Sequence, residues 1–182
     1  MSIAEIFDIS MAELQQLSNF EKLLQAGTIR DVINGVLNPR IKIYNHPFNL
    51  QKNEQFIWIF ENVKYYEVKT RTRYEGGSQG VSVRVMKGMY YRTGSFKGNP
   101  VQYSETTHIA TGILGVTQKH IYFHSSKKSF RIPYSKIISF QNFSDGIGIQ
   151  RDAQTAKPQM FITGDGWFIN NLIQNAAQCF NQ

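Results

Sequence analysis

A mainly β fold is what the sequence predicts: an antiparallel β-sandwich or open barrel, capped by a C-terminal helix and preceded by an N-terminal helical hairpin. Three observations carry this expectation. Between Thr111 and Ile138, short runs of β-branched and aromatic residues follow one another with tight-turn residues between them. Asp145-Gly146 separates two further apolar runs as a hairpin turn does. From Asp165 onward the apolar period changes from two residues to that of a helix.

In chain order, Ser10-Met-Ala-Glu13 matches a capping box, and Met11, Leu14, Leu17 and Leu24 follow at helical spacing up to Gly27, a helix stop. Thr28-Ile-Arg-Asp31 opens a second, shorter helix through Val32, Ile33, Val36 and Leu37, which Asn38-Pro39 ends. Arg40-Ile-Lys-Ile-Tyr44 reads as a strand or an extended lead-in, and Asn45-His-Pro47 as a break. Residues 1–45 are thus expected to form a helical hairpin appended to a β domain at 46–182. Such a hairpin either packs on the barrel or docks a partner protein through apolar surface left uncovered. The strand candidates are Thr111-Gly-Ile-Leu-Gly-Val-Thr117, His120-Ile-Tyr-Phe-His124, Phe130-Arg-Ile-Pro-Tyr134 and Lys136-Ile-Ile138. After them come the hairpin Phe140 to Ile149 and a last strand, Lys157 to Ile162. In the closing helix, Asp165 to Phe180, the stripe Trp167, Phe168, Leu172, Ile173, Ala176 and Phe180 faces the sheet, with Trp167, Leu172 and Ile173 expected to be buried.

The order Gly112-Ile-Leu-Gly-Val-Thr117, an apolar-aromatic strand, a basic turn and then Arg131-Ile-Pro-Tyr134 with Lys136-Ile137 resembles the GRAM-like and bacterial pleckstrin-homology-like (PH-like) domains. The likeness covers Gln55 to Phe180. It implies a small barrel that binds surfaces, either a protein segment or an anionic membrane, of a kind that rarely carries catalysis. Phosphoinositide-binding members carry a Lys, a variable loop and then an Arg/Lys-x-Arg pair on the first two strands. Here Arg71-Thr-Arg73 precedes the loop and Val81-Ser-Val-Arg84 follows it without a second pair, a departure that speaks against specific inositol phosphate recognition.

Composition narrows the function classes. The chain is 41% hydrophobic, enough for a packed core, and it has no low-complexity tract. No apolar run approaches the roughly 20 residues that cross a bilayer. The acids in Met1-Ser-Ile-Ala-Glu-Ile-Phe-Asp8 do not fit a signal peptide, and the single cysteine, Cys179, forms no internal disulfide. A reducing, cytoplasmic location is expected, with peripheral membrane association allowed.

A net charge of +7 favours an acidic partner, and the basic residues are clustered. Lys69, Arg71 and Arg73 alternate with Val68, Thr70 and Thr72, so the three point from one strand face. Arg84 and Lys87 follow on what reads as the second strand of the same hairpin, across the loop Tyr74–Gly80. Lys127, Lys128 and Arg131 sit beside the turn after His124. These eight residues are the candidate anionic-surface site. The bland alternative is a solvated strand face whose charges block edge-to-edge aggregation.

Catalytic look-alikes do not hold. Gly76-Gly-Ser78-Gln-Gly80 has the Gly-x-Ser-x-Gly form, but a nucleophile elbow needs a helix after the serine, and Val81-Ser-Val-Arg-Val85 alternates as a strand. His120 and His124 share a strand face roughly 13 Å apart, too far to chelate one metal. His46 and His108 have no acidic or cysteine neighbour at ligand spacing, and no phosphate loop or dinucleotide fingerprint is present. No cofactor and no metal are expected. The sequence therefore predicts a non-enzymatic binding or adaptor module. A protein partner ranks first, an anionic membrane surface second, and nucleic acid, through Tyr65, Tyr66, Tyr74, Tyr90 and Tyr91 among the basic residues, third.

Overall fold

The structure of the protein, a computed structural model, describes residues 11–37, 40, 43–76, 78–86, 89–96, 99–153 and 156–180. Its elements are α1 (Met11–Ile33), β1 (Phe56–Glu75), β2 (Ser78–Met86), β3 (Met89–Phe96), β4 (Asn99–Thr117), β5 (His120–His124) and β6 (Ser129–Pro133). A single 3₁₀ turn (Tyr134–Lys136) then leads to β7 (Ile137–Asn142), β8 (Gly146–Arg151), β9 (Gln159–Ile162) and α2 (Gly166–Phe180). Seven antiparallel strands form one sheet in the order β6-β5-β4-β1-β9-β8-β7, curled into a half-barrel, and β2 with β3 makes a separate two-stranded sheet. The expected mainly β fold with a capping C-terminal helix is present. The chain forms two compact units, Met1–Glu67 with His108–Gln182, and Val68–Thr107.

The core of the first unit follows from alternation in its strands. In β1, Trp58 and Phe60 are buried, Glu61 and Asn62 are exposed, and Val63 and Tyr65 are buried again, so the inward phase slips by one residue. Asn62 has φ of 56°, the left-handed conformation of a bulge, and that extra residue produces the slip. Tyr65 lies opposite Phe161 of β9, and its ring meets Phe123, Phe130 and Phe161 at centroid distances of 5.0, 5.2 and 5.2 Å. Leu114, Val116, Ile121, Ile132, Ile147 and Ile149 complete the layer.

Helix α2 starts where Asp165 accepts the Phe168 N–H at 3.0 Å. Gly166 is needed there: a Cβ would stand 2.1 Å from the Phe143 carbonyl oxygen. The helix buries Phe168, Ile169, Leu172, Ile173 and Ala176. Phe168 meets Trp58 edge-on at 4.8 Å and Phe60 at 5.5 Å. The expected burial of Leu172 and Ile173 is present, whereas Trp167 is 60% exposed. Ile169, Leu172, Ile173 and Ala176 set the inward phase, and Trp167 lies on the other side of that stripe at 3.6 residues per turn.

The N-terminal hairpin is also corrected: α1 is one continuous helix through Gly27. Glycine costs about 1 kcal/mol in a helix interior. Here Gln25, Thr28, Ile29 and Val32 present one buried face across it, and Thr28 Oγ1 donates back to the Leu24 carbonyl at 2.9 Å. Gly27 leaves room for Arg40, whose guanidinium would lie 2.8 Å from a Cβ there and which pairs bidentately with Asp31 at 2.8 and 3.0 Å. The helix packs against α2, whose Cys179 Sγ lies 3.8 Å from the Ile33 carbonyl oxygen, and Thr28, Val32, Phe56 and Ile57 line a small pocket beside it. Ser10 of the capping box, Asn38-Pro39 and Ile41-Lys42 lie outside the described residues, and the described residues of 40–44 form no strand.

In the second unit, β2 pairs with β3 from Ser78↔Phe96 to Met86↔Met89, so Arg84 lies opposite Tyr90. Among the described residues, the Arg84 strand pairs with β3 and not with the Arg71 strand, as a hairpin of those two would require. The links from β1 to β2 and from β2 to β3 are each two residues long, so connection length alone does not account for the choice of β3.

Candidate functional site

Of the eight basic candidates, five lie in the second unit and three in the first. Lys69, Arg71 and Arg73 lie on the part of β1 in the second unit, where Lys69 is half-buried and Arg71 and Arg73 are exposed. Arg71 Nε sits 2.7 Å from Glu105 of β4, so its charge is matched. Arg84 lies on β2; its side chain, that of Ser78 and all of Lys87 lie outside the described residues. The strand β2 begins at Ser78, so the helix that a nucleophile elbow requires is not there.

The other three belong to the first unit. Lys128 forms an ion pair with Glu67 and lies over the rings of Tyr65 (5.5 Å) and Phe130 (5.8 Å). Glu67 in turn accepts from the Tyr65 hydroxyl at 2.5 Å. Arg131, on β6, faces Tyr122 across the ladder. Among the described residues, Arg73 and Lys127 enter no ion pair.

Sequence reasoning missed a buried polar cluster around Glu54. Glu54 ends a turn in which its own N–H donates to the Gln51 carbonyl at 3.1 Å and the Gln51 N–H returns to Glu54 Oε2 at 2.9 Å. Asn53, at φ of 61°, takes the left-handed position in that turn. The turn inserts the Glu54 carboxylate, fully buried, against the covered face of β5. There Oε1 accepts from Thr117 Oγ1 at 2.5 Å and from His120 Nδ1 at 2.9 Å, and Oε2 accepts from the Tyr122 hydroxyl at 2.7 Å. A carboxylate only accepts, so its partner fixes the proton on His120 Nδ1. Burial pushes the Glu54 pKa up, but the bonds from Thr117, Tyr122, the Gln51 N–H and His120 outweigh it and hold the carboxyl below its ordinary value. Burial, followed by the bond to Glu54 and its charge, pushes Tyr122 up to about 12, with Arg131 pulling the other way.

Beside this cluster, Phe48 lies against Phe56, Tyr122 and His124 at 5.8, 5.6 and 6.3 Å. His124 Nδ1 is 2.8 Å from Ser129 Oγ. The two histidines of β5 are thus committed to separate local partners. The arrangement fastens the lead-in 46–55 over β4 and β5, with Arg131 beside the Tyr122 hydroxyl. His120 and Tyr122 alternate on one face of β5, but nothing local says that a distant glutamate covers it.

A third feature is apolar. On α1, opposite the buried face of Gln25, Thr28, Ile29 and Val32, Phe20 is 61% and Leu23 is 71% exposed. The side chains of Leu14 and Leu17 lie outside the described residues. Among the described residues, no helix is long and apolar enough to cross a membrane. Comparison with models of protein families and with curated proteins finds no match to this chain.

Proposed function

We propose that the chain is a non-enzymatic binding or adaptor module of the PH-like and GRAM-like kind, and that it recognises a protein partner. The strand order supports the kinship: with β2 and β3 set aside, seven strands succeed one another, the first lies against the last, and a helix follows. The observation that carries the function is the pair Phe20 and Leu23, large apolar side chains exposed on a helix whose other face is already seated. Matched charges at Arg71 and Lys128 weaken the case for an anionic surface. The second reading, peripheral binding to anionic lipid, draws on the net charge of +7 and on Arg73 and Lys127. Co-sedimentation of the 182-residue chain with vesicles separates the two. The protein reading expects equal, weak recovery on anionic and neutral vesicles. Recovery on anionic vesicles alone, falling with salt and with Arg71→Ala or Arg73→Ala, would replace it by the membrane reading.

A further inference from the structure

The two edges of the seven-stranded sheet differ in chemistry. The β6 edge reads Ser129-Phe-Arg-Ile-Pro133 and carries a charge and a proline, the usual protections of an open edge. The β7 edge reads Ile137-Ile-Ser-Phe-Gln-Asn142, with no charged residue and no proline. The Phe143 N–H bonds the Gly146 carbonyl at 3.1 Å across the turn to β8. Alternation along an antiparallel pair then turns the N–H and C=O of Asn142 and Phe140 away from β8, toward the open side.

Beside the end of this edge lies a cleft of about 160 Å³ lined by Asn142 and by Asn170, Asn171, Gln174, Asn175 and Gln178 of α2, all six of them carboxamides. Gln174 Nε2 donates to Asn142 Oδ1 at 2.7 Å, which ties the helix to the strand. Asn170 is 7% exposed, and its Oδ1 has no hydrogen-bond partner. A wall of uncharged groups that both donate and accept matches a peptide backbone and polar uncharged side chains, and brings no formal charge to neutralise an ionic one. Trp167, 60% exposed one turn before Asn171, adds an aromatic side chain of the type that anchors interfaces.

We infer that the β7 edge with the carboxamide cleft of α2 takes an extended, uncharged peptide segment of another protein as an additional strand. A six-residue edge is roughly 20 Å long, short for the ~800 Å² per partner of a stable dimer. Two copies would also each bring a net charge of +7. Both points favour a foreign segment over a second copy. The inference rests on the binding-module reading but uses a surface other than the outer face of α1.

The test selects phage-displayed random dodecapeptides on the full chain and maps the recovered peptides by amide NMR and hydrogen exchange. The expected result is uncharged sequences that shift and protect the Phe140 and Asn142 amides, with Asn142→Pro weakening them at least tenfold. Asn142→Pro removes an N–H that β8 does not use; Gln174→Leu is the second variant, with the same loss expected and the strand backbone untouched. No enriched peptide, or peptides that shift α1 near Phe20 and Leu23 but not β7, would overturn the inference, and the latter would leave the proposed function standing. Concentration-dependent dimerisation through β7 would overturn it in favour of a second copy.

Discussion

Replacing Glu54 by glutamine keeps the side-chain volume and removes one acceptor oxygen from a site that offers four donors. Whichever oxygen becomes the amide nitrogen, it faces two donors: Thr117 Oγ1 and His120 Nδ1 on one side, or the Tyr122 hydroxyl and the Gln51 N–H on the other. Hydrogen bonds to a charged group contribute about 1.5–3 kcal/mol each, and a donor left buried without a partner costs about 1–3 kcal/mol. Relaxation recovers part of this, so the expected loss is about 3 kcal/mol. For a chain of this size that lowers Tm by about 6–12 °C. The pH dependence gives a second signature. The folded carboxyl titrates below its ordinary value of 4.5, so on acidification the unfolded chain binds the proton first. The stability contributed by Glu54 is complete above the unfolded pKa and is lost as pH falls through the folded one, with a slope of at most about 1.4 kcal/mol per pH unit. Glu54→Gln should flatten that limb. Denaturant unfolding of both proteins from pH 3 to 7 measures both effects. A loss below about 1 kcal/mol with an unchanged acid limb would refute the view that this carboxylate fastens the lead-in to the sheet.

The closing helix gives a paired prediction. Phe168→Ala should cost about 3–5 kcal/mol, because the ring is fully buried between Trp58 and Phe60. Trp167→Ala should stay within about 0.5 kcal/mol, because that side chain faces solvent. Thermal denaturation followed by far-UV circular dichroism distinguishes them, and equal losses would place the inward phase of α2 wrongly. Leu23→Glu, at a position 71% exposed, should likewise leave stability within about 0.5 kcal/mol.

How far the fold was legible depended on how local its determinants are. Strands β5 to β9 and α2 fall close to where alternation and turn residues place them, because period and turn chemistry are written in neighbouring residues. Gly27 misled because a helix boundary competes with tertiary burial: Thr28, Ile29 and Val32 are buried where α1 packs against α2, and the helix continues. Trp167 misled because one apolar stripe on α2 admits two adjacent phases, and the choice is made by Trp58 and Phe60 far back in the chain. Lys69, Arg71 and Arg73 read as one strand face and Lys127, Lys128 and Arg131 as a separate basic group, but Arg71 and Lys128 meet Glu105 and Glu67, partners distant in sequence. Glu54 gave no local sign at all, since its donors lie more than sixty residues away except for Gln51.

The central claim, that the module meets a protein through the outer face of α1, is tested most directly by site-specific photo-crosslinking in the native cell. A benzophenone amino acid placed at position 20 or 23 of the full chain should yield discrete protein adducts, and Leu23→Glu should abolish those formed from position 20 while the chain stays folded. The same probe at 71 or 73 should yield none. Adducts to lipid or nucleic acid at 71 and 73, with no protein captured at 20 and 23, would contradict the account.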